Sequence, residues 1–125
     1  MTNSQARDPA LEALLALDGE VMVVDPAGKH WVKFTVKAVE ASEERPHGIV
    51  YSFTLHDERG RRLVGFDNSH SVRSVAGPSG RGRRSHDHRH RLQTVRPYTY
   101  TDAMTLLSDF WDEVESMLRE REVNP

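Results

Sequence analysis

Three histidines alternate with Asp87 and Arg89 in one run of five residues: His86, His88 and His90. If this run is extended, the histidines share one face of a strand and Asp87 and Arg89 share the other. Histidine can take and give a proton near neutral pH, and a nearby guanidinium can stabilise the negative charge of a phosphodiester transition state. The three imidazoles also suit zinc or nickel, although their spacing matches no standard zinc signature. A solvated Arg/His loop remains the third interpretation.

A second polar group, Asp67 and Asn68, ends a predicted strand. The carboxylate could orient a histidine and the amide could hold a substrate, whereas ordinary turn chemistry is the alternative explanation. A tract rich in glycine and arginine follows over residues 77–84. It is not a P-loop, because no Gly-Lys-Ser/Thr follows the glycines, and it suits either a surface linker or a segment that follows a nucleic-acid backbone. Arg83 and Arg84 are therefore candidate phosphate contacts.

The charges of the chain are unevenly distributed along the sequence. The whole chain has a net charge of -2, but residues 81–96 carry six arginines and one acid, a local charge of +5. Residues 102–122 carry seven acids and two arginines, a local charge of -5. The basic segment can meet phosphate, and the acidic segment can restrain it or meet a basic partner.

The elements that must position these residues follow from hydrophobic patterning. Strand-like runs joined by short turns predict an antiparallel meander of about four strands, over residues 21–24, 31–37, 49–56 and 61–68. Residues 101–121 have apolar side chains at helical spacing, which predicts a long C-terminal helix capped by Thr101. This helix should pack on the sheet through Phe110, Trp111 and Met117.

The rest of the chain completes an α+β prediction with one domain over residues 1–125. Residues 9–17 suit a short N-terminal helix capped by Asp8, after a flexible terminus at residues 1–7. Residues 69–82 are expected to form a mobile loop, because they offer little apolar surface to bury. The absence of cysteine, of a visible signal peptide and of a long apolar run predicts a cytoplasmic protein without membrane contact.

Taken in order, several short motifs resemble the TumE family of toxin–antitoxin toxins. They are Tyr51-Ser52-Phe53, Gly65-Phe66-Asp67-Asn68, Asp87-His88-Arg89-His90, Pro97-Tyr98-Thr99-Tyr100, and the helix with Leu106-Leu107 and Asp109-Phe110-Trp111. The resemblance implies a small toxin encoded beside a helix-turn-helix DNA-binding antitoxin. We expect no cofactor. The chain departs from the family pattern in a longer loop at residues 69–82, in His70 and His86, and in the N-terminal helix.

The residues and the resemblance together lead to one functional hypothesis, a metal-independent ribonuclease toxin. Its catalytic residues would be Asp67, His88, Arg89 and His90, with the two histidines as acid and base. Substrate contacts would come from Asn68, Arg83, Arg84 and Asp87. The motif residues should meet in one solvent-accessible cleft.

Two other hypotheses remain open at this stage. One is a toxin that binds RNA or the ribosome without cleaving it. The other is a metal-dependent hydrolase that uses His86, His88 and His90 as ligands. The sequence also leaves a homodimer open.

Overall fold

The structure is a computed structural model that describes residues 8–68, 72–73, 84–85 and 87–123. Its two helices are α1 (Leu11–Leu15) and α2 (Ala103–Glu120). Its strands are β1 (Val21–Val23), β2 (Trp31–Ala38), β3 (Ile49–His56), β4 (Arg62–Asp67), β5 (Val72–Arg73), β6 (Arg84–Ser85), β7 (His88–Arg91) and β8 (Thr94–Pro97). None of the described helices is long and apolar enough to cross a membrane.

Six of these strands form one antiparallel sheet in the order β1-β2-β3-β4-β7-β8, while β5 pairs with β6 separately. The predicted α+β class and the first four strands are confirmed. The predicted number of strands is wrong, because β7 and β8 extend the sheet beyond β4. Their sequences, HRHR and TVRP, lack the apolar alternation that identifies a strand with one buried face.

The two faces of the sheet differ in character. One face, called here the helix face, carries the alternate apolar residues of β2 and β3 and packs against α2. Phe110 of α2 is fully buried, and its ring centroid lies 5.6, 5.7 and 5.9 Å from those of Phe34, Phe53 and Phe66. Trp111 is half-buried beside Phe34 at the margin of this core. The opposite face, called here the far face, carries the polar residues of the same strands.

The ends of the helices differ slightly from those predicted. Asp102, not Thr101, caps α2, since its side chain accepts a hydrogen bond from the backbone N–H of Thr105 at 2.7 Å. Helix α1 is shorter than residues 9–17, because the chain after Leu15 tightens into i to i+3 hydrogen bonds. Asp8 accepts hydrogen bonds from the backbone N–H groups of Ala10 and Ala103, so it links the start of α1 to the start of α2.

Two predictions of mobility fall mainly outside the described part of the chain. The flexible terminus was predicted for residues 1–7, which the structure does not describe. Within the predicted loop at residues 69–82, only β5 is described. Both predictions therefore remain predictions.

The packing of α2 gives a first test of the fold. Phe110→Ala should lower the free energy of unfolding by about 3–5 kcal/mol, because it empties a fully buried aromatic site. Trp111→Ala should cost less, since that ring is half-buried. Met104 on the same helix is 69% exposed, so Met104→Ala should change stability by no more than about 0.5 kcal/mol. Urea unfolding measures all three, and equal losses for Phe110→Ala and Met104→Ala would contradict the packing.

Candidate functional site

The pairing of β4 with β7 decides which motif residues meet. Asp67 lies opposite His88 and Gly65 lies opposite His90, and all four positions are on the far face. Phe66 and Val64 lie opposite Arg89 and Arg91 on the helix face. The alternation expected of an extended segment is therefore present in β7, and it separates the histidines of the motif from its arginines.

Asp67 connects the two described histidines of the motif. Its Oδ2 atom lies 3.0 Å from Nε2 of His90, at hydrogen-bond distance. Its Oδ1 atom lies 3.8 Å from Nδ1 of His88, which is too long for a hydrogen bond. An ionised carboxylate only accepts, so Nε2 of His90 carries the proton of this bond. The lone pair of the neutral ring is then on Nδ1, which makes no hydrogen bond to another described residue.

The surroundings of His90 favour its neutral form. Burial lowers the pKa of His90 from its ordinary value of 6.5, and the positive charge of Arg62 lowers it further. The carboxylate of Asp67 acts in the opposite direction but does not restore the ordinary value. A neutral imidazole at pH 7 can accept a proton, so His90 has the protonation state of a general base.

Arg62 reaches this site because of a β-bulge. Strict alternation along β4 would place Arg62 on the helix face with Val64 and Phe66. The register shifts between Leu55 and His56, so Arg62 lies opposite His56 on the far face. There its side chain extends over Gly65, where an added Cβ would lie only 3.2 Å from Cδ of Arg62. Among the described residues, no carboxylate forms an ion pair with this guanidinium.

The site is more buried than the sequence predicts. The exposed fractions of Asp67, Asn68 and His88 are 6%, 2% and 2%, so the expected solvent-accessible cleft is wrong for these three residues. Both ring nitrogens of His88 and Oδ1 of Asp67 are buried without a hydrogen-bond partner. An unsatisfied buried polar group costs about 1–3 kcal/mol, so this cluster is held together at the expense of stability.

Asn68 is occupied by the backbone of β3. Its Oδ1 atom accepts a hydrogen bond from the N–H of Tyr51, and its Nδ2 atom donates one to the carbonyl of Ile49, both at 2.9 Å. These two bonds fix the end of β4 against β3, immediately beside Asp67. The side-chain amide of Asn68 therefore stabilises the pairing of β4 with β3.

The arginines of β7 contact acidic residues of α2 on the helix face. Arg91 pairs with Glu113 at 2.8 Å and also with Glu120. Arg89 lies 3.8 Å from Glu113. A groove with a volume of about 210 Å³ lies at this edge, lined by Arg89, His90, Arg91, Thr94, Arg96 and Glu113. The basic and acidic segments of the sequence thus meet here, away from the carboxylate of Asp67.

Asp87 lies among tyrosines on the helix face. Its Oδ2 atom accepts a hydrogen bond from the hydroxyl of buried Tyr51 at 2.7 Å, and its carbonyl accepts one from the N–H of Tyr98. The hydroxyl of Tyr98 donates to Asp109 of α2 at 2.7 Å. Burial and then the charge of Asp87 raise the pKa of Tyr51, so its hydroxyl stays protonated and remains a donor. These bonds hold the start of β7 in place.

The remaining predicted site residues are described only in part or not at all. Arg83 and His86 lie outside the described residues, and Arg84 is described only as a backbone position in β6. Within the described ranges, no three histidine or acidic side chains form a group that could hold a metal ion. The metal-site hypothesis includes His86, so it is not decided by these residues alone.

Arg62 is not among the site residues that the sequence predicts. Gly65 gave the only available signal, because a glycine inside a strand often marks the close approach of another group. The bulge that turns Arg62 towards Gly65 leaves no such mark in the sequence.

Comparison with known protein families gives a match over most of the chain. The family model described as Toxin TumE matches residues 19–118, which include β1 to β8 and most of α2. No curated protein and no solved structure shows significant similarity to the chain. The match covers most of the sequence and confirms the resemblance found in its motifs. The chain therefore belongs to the TumE family of toxins, and membership implies a toxin with a cognate antitoxin.

Proposed function

We propose that this toxin is a metal-independent ribonuclease whose general base is His90. The observation that carries the proposal is the 3.0 Å hydrogen bond between Asp67 and Nε2 of His90 on the far face. This bond orients the ring, and the lowered pKa keeps its other nitrogen unprotonated near neutral pH. We place the toxin in the cytoplasm, where RNA is an abundant phosphodiester.

We also propose that the cognate antitoxin is a helix-turn-helix DNA-binding protein.

The proposed reaction uses the 2′-hydroxyl of RNA as its nucleophile. Nδ1 of His90 takes the hydroxyl proton while the 2′ oxygen attacks the adjacent phosphorus. The bond from phosphorus to the 5′ oxygen breaks, and that oxygen receives a proton. The products are a 2′,3′-cyclic phosphate and a free 5′-hydroxyl, so no water or metal is consumed.

His88 is the proposed acid that protonates the leaving oxygen. Its ring centroid lies 6.4 Å from that of His90, a separation that allows the two rings to serve different oxygens of one phosphate. Oδ1 of Asp67 is 3.8 Å away and provides a counter-charge for a protonated ring. Both ring nitrogens of His88 are buried without a hydrogen-bond partner, so in this proposal bound RNA must uncover the ring before it can bond to it.

Arg62 is the proposed contact for the reacting phosphate. It lies on the same face as Asp67 and His90, and its charge already acts on His90. A guanidinium so placed stabilises the extra negative charge of the transition state. Arg89 lies near Glu113 on the helix face. We therefore propose that Arg89 holds β7 against α2 and does not contact the reacting phosphate. Arg83 and Arg84 remain proposed contacts for other phosphates of the RNA, next to the one that is cleaved.

Asn68 and Asp87 become positioning residues in this proposal. The amide of Asn68 holds the strand that carries Asp67, and the carboxylate of Asp87 holds the strand that carries His88 and His90. Catalytic geometry tolerates little displacement, so both contacts support the acid and the base indirectly.

A second candidate function is RNA or ribosome binding without cleavage. The low exposure of the site favours it, because only 16% of the His90 side chain and 8% of the Asp67 side chain are accessible. A reacting phosphodiester must reach Nδ1 of His90, whereas a bound strand needs only the surface cations. The two candidates differ in whether His90 affects RNA cleavage.

Purified protein incubated with total RNA, with and without EDTA, tests the proposed function. His90→Gln can still donate to Asp67 but cannot act as a base, so cleavage should fall by about 10²–10⁴-fold. The matched control is His47→Gln, at an exposed position outside this cluster, which should cleave like the unaltered protein. Growth inhibition should follow cleavage in each variant.

Each other result assigns a different function. Cleavage that EDTA abolishes would point to a metal-dependent hydrolase. RNA binding without cleavage by the unaltered protein would favour the binding toxin. A folded His90→Gln protein that still cleaves fully would remove His90 from the mechanism.

The electrostatic role of Arg62 is tested by the titration of His90. In the unaltered protein the pKa of His90 should lie below 6.5, and Arg62→Gln should raise it. Removing a neighbouring positive charge stabilises the imidazolium, so the ring stays protonated to higher pH. NMR of the ring C–H signals against pH measures the shift without requiring activity. Arg59→Gln, at an exposed turn position, should leave the titration unchanged, and the same result for Arg62→Gln would disprove the contact.

A further inference from the structure

An aromatic pair lies on the far face outside the catalytic cluster. Trp31 begins β2 and His56 ends β3, and the two are cross-strand partners. Their rings are stacked, with centroids 5.5 Å apart and planes 17° from parallel. Both side chains are half-buried, and their side of the sheet is not the one that α2 covers.

Hydrogen bonds fix the orientation of His56. Its Nδ1 atom lies 3.2 Å from the carbonyl oxygen of Gly60, and its Nε2 atom lies 2.9 Å from the hydroxyl oxygen of Thr54. A carbonyl only accepts, so Nδ1 donates to Gly60, while Nε2 bonds to the hydroxyl of Thr54, which can donate or accept. The ring therefore cannot turn freely, and the stacked pair forms a preset aromatic surface.

Positive side chains connect this pair to the catalytic cluster. Exposed Lys33 belongs to a cross-strand row that continues through Thr54 and Gly65 to His90. Arg62 lies opposite His56 and extends over Gly65. Within the described residues, neither of these two cations forms an ion pair. His56 and His90 are two strands apart across the sheet and two residues apart along it, so their Cα atoms are separated by about 12 Å.

We propose that Trp31 and His56 form a stacking platform for a base of single-stranded RNA, with Lys33 and Arg62 on the adjoining phosphates. Aromatic rings beside a positive track are the usual means of holding single strands, because every base has a face that can stack. The base must leave its own helix to lie on the rings, so the substrate is a single strand, loop or end. The choice of RNA rests on the proposed function, but stacking does not require cleavage.

Fluorescence of Trp31 tests the contact directly. The chain has two tryptophans, so Trp111→Phe leaves Trp31 as the only one and keeps an aromatic ring against the core. This protein is titrated with a short single-stranded RNA that carries 2′-O-methyl groups, which cannot be cleaved. We expect the RNA to quench Trp31, and an abasic strand of equal length to bind without quenching it. Equal quenching by both strands would overturn the platform.

Affinity measurements give an independent test. Trp31→Ala should weaken binding of the same RNA by about 5- to 150-fold, the range for loss of one stacked base, and Trp31→Tyr should restore most of it. The matched control is Val23→Ala, because Val23 is 62% exposed and is the other cross-strand partner of Trp31. Val23→Ala should bind RNA normally. Normal RNA binding by folded Trp31→Ala would overturn the proposal.

Two further outcomes separate this inference from the proposed function. If His90→Gln loses cleavage but keeps the quenching of Trp31, both proposals stand. If the unaltered protein never cleaves RNA but Trp31 is quenched, the ribonuclease fails and the platform stands. If no single strand binds and Trp31→Ala instead weakens binding to the cognate antitoxin, the rings serve a protein partner and the RNA platform is wrong.

Discussion

The backbone pairing of β4 with β7 is the constraint on which the rest of this site depends. Strand β7 contains no apolar residue, so burial of its side chains cannot hold it in the sheet. It is held by its hydrogen bonds to β4 and by the ion pairs that its arginines make with α2. Because side chains alternate along a strand, a register that brings Arg91 to Glu113 necessarily brings His90 to the far face. A slip of one residue would therefore break the ion pair and the contact with Asp67 together.

The histidine–aspartate cluster opposes stability, and its neighbours offset the cost. His88 and one oxygen of Asp67 are buried without partners, which favours neither folding nor a rigid geometry. The ends of both strands are nevertheless fixed, by Asn68 on β4 and by the bond from Tyr51 to Asp87 on β7. Each of these bonds lies next to a site residue in the chain. Unsatisfied polar atoms inside a firmly held frame are typical of a site that completes its hydrogen bonds with a ligand.

Hydrophobic periodicity made much of the fold predictable. Strands β2 and β3 alternate cleanly, and α2 has an apolar stripe, so their faces and the α+β class could be inferred. Strands β7 and β8 could not be inferred, because pairing with β4 and contacts with α2 replace apolar burial there. The site was only partly predictable for the same reason. Alternation along a strand implied that His88 and His90 share a face if the segment is extended, but the sequence did not establish that it is extended. Arg62 was missed because a bulge, which has no sequence signature here, reverses its face.

The number of arginines in the sequence does not indicate which cations are free of internal ion pairs. Residues 81–96 form one run of positive charge in the sequence, but β7 places Arg89 and Arg91 on the helix face and His88 and His90 on the far face. On the helix face, a phosphate near Arg91 would have to displace Glu113 and Glu120, and it would be repelled by those carboxylates until it did. On the far face, Lys33 and Arg62 have no such competitors among the described residues, and Arg62 stands beside His90. The proposed function therefore places RNA on the far face, since the charge left after internal pairing governs anion binding more than the number of cations in the sequence does.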